Sequence, residues 1–197
     1  MSANESLWLD QALEGDQQAF AQLVDLYQRP VFNLCYRMLG TAEDAEDASQ
    51  ETFLRAYRSL KRYDASRSFI TWLLSIAAHY CIDQIRRRRY PVISIEDLPV
   101  PDLPDHSPGM EAKLGNKQER ERVRSLLQVL ESTDRAIVVL YYWYDYSYEE
   151  IGQALSLTLS AIKSRLHRAR RAMAESWKEN ERKVEIPGRF AHESQTF

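Results

Sequence analysis

The chain has almost no cysteine: Cys35 and Cys81 are the only two in 197 residues. They lack paired spacing, so neither a disulfide framework nor a zinc site is expected, and their apolar helical surroundings suit buried thiols. Long hydrophobic runs are also missing. The longest, near Phe69–Ala78 and Ala136–Tyr144, are too short to span a bilayer. Met1–Asp10 lacks the basic-then-apolar order of a signal peptide. A reducing cytoplasm and no membrane insertion are therefore expected. Glycine is scarce, with six scattered residues and no phosphate-cradling loop. His79, His106, His167 and His192 have no metal-ligand spacing. The carboxylates from Glu43 to Glu51 have no histidine beside them. No cofactor, no metal and no catalytic group is expected, and the chain does not read as an enzyme.

Charge is present but sorted. The net charge is only -3, which excludes a uniformly basic nucleic-acid coat. Glu43, Asp44, Glu46, Asp47 and Glu51 form an acidic block. Arg86 to Arg89 form a basic run, and Lys163 to Arg171 hold a second. Such segregation predicts separate acidic and basic partners.

No alternating strand pattern stands out, and helical periodicity dominates. Asp16 can cap a helix carrying Phe20, Leu23, Val24 and Tyr27. Pro30 suits the first turn of a next helix with Val31, Leu34, Cys35 and Met38. Gly40 ends it, and Thr41 with Asp44 starts another. That helix, Ala42 to Leu60, is acidic at first and then buries Phe53, Tyr57 and Leu60. A polar loop with aromatic ends, Tyr63–Phe69, precedes a helix from Ile70 to Arg89. Its core stripe is Leu73, Ala77 and Tyr80. A second stripe, Trp72, His79, Asp83 and Arg86, could form a platform for unstacked bases, although a lone tryptophan is more often core.

From Pro91 to Gly109 the chain holds five of its seven prolines and no apolar period, the signature of a linker. Helix resumes near Met110 with Val123, Leu126, Leu127 and Leu130 on one face. Ser132–Asp134 separates it from an apolar helix, Arg135–Tyr144. Val184–Phe197, with Pro187 and Gly188, reads as a flexible tail. The expected class is all-α: two small helical domains joined by a flexible linker, the C-terminal one with a helix-turn-helix. The expected boundaries are 1–90, a linker at 91–112, 113–180, and a tail at 181–197.

The helix-turn-helix is the most informative stretch. Ser147 and Glu150 match a capping box. Ile151 and Leu155 give the first helix an apolar stripe. Ser156–Ser160 supply the turn, where Thr158 or Ser160 can cap the second helix. At about 100° per residue, Ile162, Leu166, Ala169 and Met173 share a stripe. Lys163, His167 and Arg170 lie beside it, and Ser164, Arg168 and Arg171 next to those. No acidic residue falls between Ile151 and Ala174. One face can pack on a neighbour while the other enters a major groove.

Three motifs, in this order and spacing, carry a family resemblance. The first is Cys35–Gly40 followed by Asp44–Tyr57. The second is Phe69–Ala77 followed by Ile82–Arg89. The third is Leu140–Tyr146 leading into Ser147–Gly152 and Ile162–Arg170. The chain resembles bacterial RNA polymerase sigma factors of the extracytoplasmic-function (ECF) group from Asp16 to about Trp177. The resemblance implies a specificity subunit that directs core polymerase to promoters, helps open the DNA, and is held inactive by an anti-sigma factor until a stress signal arrives. The first domain corresponds to sigma region 2, which binds the polymerase clamp and melts the minus-ten element. The second corresponds to sigma region 4, which binds the minus-thirty-five duplex and the polymerase flap.

Carried over by position, Asp44, Glu46, Asp47, Gln50, Glu51 and Phe53 are the implied clamp contacts. Tyr63, Ser66, Phe69, Trp72, His79, Asp83, Arg86 and Arg87 are the implied minus-ten contacts, with Arg86–Arg89 gripping phosphates. Lys163, Ser164, His167 and Arg168 fall where the family reads minus-thirty-five bases, and Arg165, Arg170 and Arg171 where it contacts phosphates or fixes register. Four positions depart from the usual pattern. His79 stands where many members carry asparagine, Glu131 where many carry proline, and Thr158 and Ser160 where proline and glycine are common. A stand-alone helix-turn-helix regulator would explain the C-terminal half only.

Overall fold

A computed structural model of the chain describes residues 3–65, 67–89 and 114–185. These residues form helices and no strand. The N-terminal bundle comprises α1 (Ala3–Leu13), α2 (Gln17–Leu39), α3 (Ala42–Ser59), a short 3-10 turn at Leu60–Arg62, and α4 (Phe69–Arg89). The C-terminal bundle comprises α5 (Leu114–Gln128), α6 (Ser132–Trp143), α7 (Tyr148–Leu155) and α8 (Leu159–Glu185). The expected linker, 91–112, and residues 186–197 of the expected tail lie outside the described residues. Residues 181–185 continue α8.

Local signals set the helix ends. The Asp16 carboxylate accepts from the Gln18 and Ala19 amides at 2.7 and 3.2 Å, capping α2. Gly40 ends α2 at φ 94°, a left-handed value that glycine adopts without a Cβ penalty. Thr41 then caps α3 by accepting from the Asp44 amide at 3.2 Å.

Pro30 does not start a helix. It lies inside a continuous α2 that runs through it. A proline there removes the bond to the Leu26 carbonyl and costs about 3 kcal/mol. The stripe Phe20, Leu23, Tyr27, Val31, Leu34, Cys35 and Met38 stays in helical phase across the proline, and all of it is buried. Burial of several such side chains, at about 1.5–3 kcal/mol each, outweighs the lost bond. The second half of α3 also differs from expectation. Its buried stripe is Ala45, Ala48, Ser49, Thr52 and Ala56, while Tyr57 is exposed and meets Phe20 edge-on. Small residues let α3 approach α2 and α4 closely, so the aromatic rings are left at the margin. The fully buried Thr52 hydroxyl donates to the Ala48 carbonyl at 2.7 Å and leaves no polar atom unmet. Helix α6 begins at Ser132, three residues earlier than Arg135, so Ser132–Asp134 form its first turn.

Cys35 and Cys81 are both buried, and their thiols face each other across α2 and α4. Cys35 as a hydrogen-bond neighbour and burial together push the Cys81 thiol far up, which makes it inert as a nucleophile.

The two bundles pack on each other. Helices α6 and α7 lie on α4, and α5 and α6 lie on α2. One continuous cluster of buried side chains runs through both. Arg135 of α6, only 7% exposed, sits at the junction. Its guanidinium donates to the Met38 carbonyl at 2.5 Å, and to the Gln128 and Leu130 carbonyls at 3.0 and 3.3 Å. A cation is thus placed against the C-terminal ends of α2 and α5, where the helix dipoles are negative.

Candidate nucleic-acid interface

The helix-turn-helix is fixed by its own caps. The Ser147 hydroxyl accepts from the Glu150 amide at 3.1 Å, and the Glu150 carboxylate accepts from the Ser147 amide at 2.8 Å. Ser156 turns the chain out of α7 at φ 56°. The turn folds so tightly that a Cβ on Gly152 would lie 2.8 Å from the Leu157 carbonyl oxygen. Glycine is therefore needed at 152, a requirement that sequence spacing did not reveal. Of the two candidate caps for α8, Thr158 takes the role: its hydroxyl accepts from the Ala161 amide at 3.3 Å.

Helix α8 then divides into two faces. Ile162, Leu166 and Ala169 are buried and Met173 is half-buried. Lys163, Ser164, His167, Arg168, Arg170 and Arg171 are exposed. The cations differ in what holds them. Arg165, half-buried, donates to the Asp134 carboxylate of α6 at 2.6 Å. Arg170 donates to the Tyr142 hydroxyl at 2.9 Å and lies 5.7 Å from the Tyr141 ring centre, which raises its pKa. Arg171 reaches Glu175 at 3.6 Å. Lys163 lies 5.9 Å from the ring centre of Tyr148. Ser164, His167 and Arg168 have no side-chain partner among the described residues, so they form the unengaged centre of the face.

In the N-terminal bundle the aromatic group around the loop is mostly interior. Phe69 is 1% exposed and packs on Tyr27, Tyr63 and Trp72 at 5.5–5.6 Å between ring centres. The Tyr63 hydroxyl donates to the Arg67 carbonyl, which closes the loop. Trp72 is half-buried and forms the outer wall of this cluster. His79, Asp83, Arg86 and Arg87 continue from it along the exposed side of α4. The His79 ring nitrogen lies 2.8 Å from the Ser75 carbonyl. Ser66 lies outside the described residues.

The acidic segment forms one wall of a groove between α2 and α3. Its cavity of about 710 Å³ is lined by Glu46, Gln50 and Phe53 from α3 and by Leu26, Arg29 and Phe32 from α2, among others. Asp47 is exposed beside it, and Glu51 is held by Arg55 at 2.7 Å. Asp44 is turned the other way. It takes both arms of the Arg88 guanidinium, one of them at 2.8 Å, which holds its carboxyl below the usual range. One member of the acidic block is thus spent on one member of the basic run, within the same bundle. No cluster able to hold a metal ion occurs among the described residues, and none of their helices is long and apolar enough to cross a membrane.

A groove beside acid, an aromatic wall leading into arginines, and a basic helix-turn-helix thus follow one another along the chain, and comparison with known proteins matches two successive regions of it. The Sigma-70 region 2 family matches residues 23–90, and the Sigma-70, region 4 family matches residues 120–173. The ECF RNA polymerase sigma factor SigW of Bacillus subtilis (strain 168) is 35% identical over 178 residues, covering 84% of this chain and 92% of that one. The ECF sigma factor SigE of Mycolicibacterium smegmatis is 35% identical over 164 residues, covering 81% and 63%. Among solved structures, CnrH in complex with the cytosolic domain of CnrY superposes with a TM-score of 0.66 at 25% identity, covering 90% of this chain and 99% of that one. The sigma factor RpoE of Bartonella quintana, in complex with the anti-sigma factor NepR, shares the fold with a TM-score of 0.63 at 21% identity, covering 81% and 96%. Sequence and fold agree: this chain belongs to the ECF RNA polymerase sigma factors, the subunits that give core polymerase its promoters.

Proposed function

We propose that residues 1–90 act as the region 2 domain and 113–180 as the region 4 domain, with 91–112 as the tether and 181–197 as an appended tail. Ser164, His167 and Arg168 read minus-thirty-five base edges, because they are the part of the α8 face that no neighbour engages. Lys163, Arg170 and Arg171 contact flanking phosphates, which position the helix without reading sequence. Arg165 acts by holding α8 on α6. Trp72 is the ring on which an unstacked minus-ten base rests, His79 and Asp83 line the path of the strand, and Arg86 and Arg87 meet its phosphates. Phe69 and Tyr63 support Trp72 from beneath, and Ser66 belongs to the same loop.

Flipping a base costs a few kcal/mol, and stacking returns about 1–3 kcal/mol per base. Melting therefore also draws on phosphate contacts and on binding to polymerase. Glu46, Asp47, Gln50, Glu51 and Phe53 form the clamp-binding edge of the α2–α3 groove, and Asp44 shapes its end through Arg88. The factor works in the cytoplasm without catalytic groups of its own. An anti-sigma protein covers polymerase-binding surfaces on both domains and releases them on a stress signal.

The observation that carries this reading is the unengaged Ser164–His167–Arg168 face on a helix that buries Ile162, Leu166 and Ala169 on its opposite side. Footprinting of the reconstituted holoenzyme tests it. Wild-type holoenzyme should protect both promoter elements. The triple change Ser164→Ala, His167→Ala, Arg168→Ala should lose the minus-thirty-five footprint and keep core binding. Retention of that footprint would refute the assignment.

A further inference from the structure

Helix α1 carries a carboxylate where its packing calls for an apolar side chain. Glu5, Leu9 and Ala12 share one face at the i, i+4, i+7 spacing, and all three are buried. The helix packs on α2 and precedes residue 23, where the region 2 match begins. Glu5 is 6% exposed. A carboxylate withdrawn from water is costly unless hydrogen bonds hold it. The Tyr27 hydroxyl of α2 donates one to it. Its place in the first turn of α1 adds the favourable end of the helix dipole.

Two tyrosines face this carboxylate. Burial first, and then Glu5, raise the Tyr27 hydroxyl well above its ordinary pKa. Burial and then Glu5 are also the leading causes that raise Tyr63. Glu5 thus lies near the hydroxyl ends of both. Both rings pack on Phe69, Tyr27 at 5.6 Å and Tyr63 at 5.5 Å between ring centres. Trp72 in turn rests on Phe69 at 5.6 Å and on Tyr63 at 5.3 Å. Three short steps therefore lead from α1 to Trp72: the hydrogen bond to Tyr27, the contact of Tyr27 with Phe69, and that of Phe69 with Trp72. Interiors packed at crystal density pass a displacement on instead of absorbing it. Phe69 is also the first residue of α4, so a shift of its ring moves the base from which Trp72 projects.

We propose that Glu5 is a positioning residue of the minus-ten site: through Tyr27 and Phe69 it fixes the height and tilt of the Trp72 ring on which the unstacked base rests. Helix α1 is then part of the strand-opening apparatus and not only a brace for α2. The proposal rests on the assignment of Trp72 to a minus-ten base, but its structural half, the setting of the Trp72 ring, does not.

Variants of the full chain test it. Glu5→Leu with Tyr27→Phe removes both polar partners together, so neither is left unpaired and the apolar stripe of α1 is completed. The melting temperature of this double variant should stay within about 5 °C of wild type. Glu5→Gln keeps an acceptor for the tyrosine. Tyr27→Phe alone removes only the hydroxyl and takes the place of the double variant, with the same outcomes, if the latter does not fold. Fluorine NMR of the chain labelled with fluorotryptophan reports on the Trp72 ring itself, whose resonance is identified by its loss in Trp72→Phe. That resonance should move in the double variant and stay in place in Glu5→Gln. Holoenzyme is then titrated with a single-stranded minus-ten oligonucleotide taken from a promoter that the wild type opens. The double variant should bind it about fivefold or more weakly, through partial loss of one stacking contact, with core affinity and the minus-thirty-five footprint unchanged. Glu5→Gln should bind within about twofold of wild type. A Trp72 resonance that does not move in the folded double variant would overturn the proposal. So would wild-type strand binding by that variant when Trp72→Ala binds weakly, an equal loss in Glu5→Gln, or a parallel loss of core binding. If the resonance moves but Trp72→Ala leaves strand binding intact, Glu5 sets the ring as proposed and the minus-ten assignment of Trp72 fails.

Discussion

The Arg165 guanidinium of the recognition helix is bound at 2.6 Å to Asp134 in the first turn of α6, a carboxylate that is mostly buried. This pair sets how far α8 stands off the bundle and at what rotation it presents its outer face. Arg165→Ala should therefore destabilise the C-terminal bundle by about 1 kcal/mol and weaken minus-thirty-five binding equally on all sequences. Asp134→Ala should do the same. The double variant should lose little more than either single one, and a double-mutant cycle in thermal unfolding checks this. Additive losses would mean that the two residues act independently.

Arg168 has no such partner. Arg168→Ala should leave stability unchanged and cost about 1–3 kcal/mol of discrimination at one base position. Competition binding of the holoenzyme against a library randomised at the minus-thirty-five element measures this directly. A uniform loss across all sequences would make Arg168 a phosphate contact.

The groove between α2 and α3 gives a different expectation. Asp47→Asn with Glu51→Gln should reduce affinity for core polymerase without loss of helical content. Phe53→Ala, half-buried at the groove edge, should reduce it further. Affinity is measured by fluorescence anisotropy of labelled factor titrated with core enzyme, and an unchanged value for both variants removes the clamp assignment.

Trp72→Ala should separate melting from recognition. The holoenzyme should still bind closed duplex, while opening, read by permanganate reactivity of the minus-ten thymines, falls by about tenfold or more. The expectation follows from the loss of one stacked base at about 1–3 kcal/mol. Supplying an already unpaired minus-ten element should rescue most of the defect. Failure of such a template to rescue would place Trp72 in the core alone.

Asp44 gives a pH dependence. Its bond to Arg88 holds the carboxyl below the ordinary range, so the folded pKa is lower than the unfolded value of about 3.9. Such a group stabilises the fold above the unfolded pKa, and the contribution is lost as pH falls through the folded one. Asp44→Asn should therefore lower the melting temperature at pH 7, and the difference from wild type should begin to shrink only as pH falls below the unfolded value of about 3.9. Thermal unfolding followed from pH 7 into the acid range tests this, and a difference that already fades well above the unfolded value, or that grows as pH falls below it, would contradict it.

The helix ends and the two faces of α8 were legible in the sequence because they are set locally. Asp16, Gly40, Thr41 and the Ser147–Glu150 box act within a few residues of themselves, and α8 has an unbroken apolar stripe. The misread elements depended on distant neighbours. Pro30 signals a helix start in isolation, but packing of Val31, Leu34 and Cys35 carries α2 through it. Tyr57 looks like core until the small side chains of α3 are seen to take that place. Nothing near Arg135, Arg88 or Arg165 in the sequence marks them as partners of Met38, Asp44 and Asp134. These contacts arise only when the two bundles, or distant helices of one bundle, meet.

The most direct measurement of the central claim is reconstituted transcription, with core polymerase, this protein and a promoter library, and with initiation sites sequenced. The account predicts a new set of start sites sharing two separated sequence elements, and loss of preference at the upstream element when Ser164, His167 and Arg168 are replaced by alanine. Core polymerase that gains no new start sites from the full chain would contradict it.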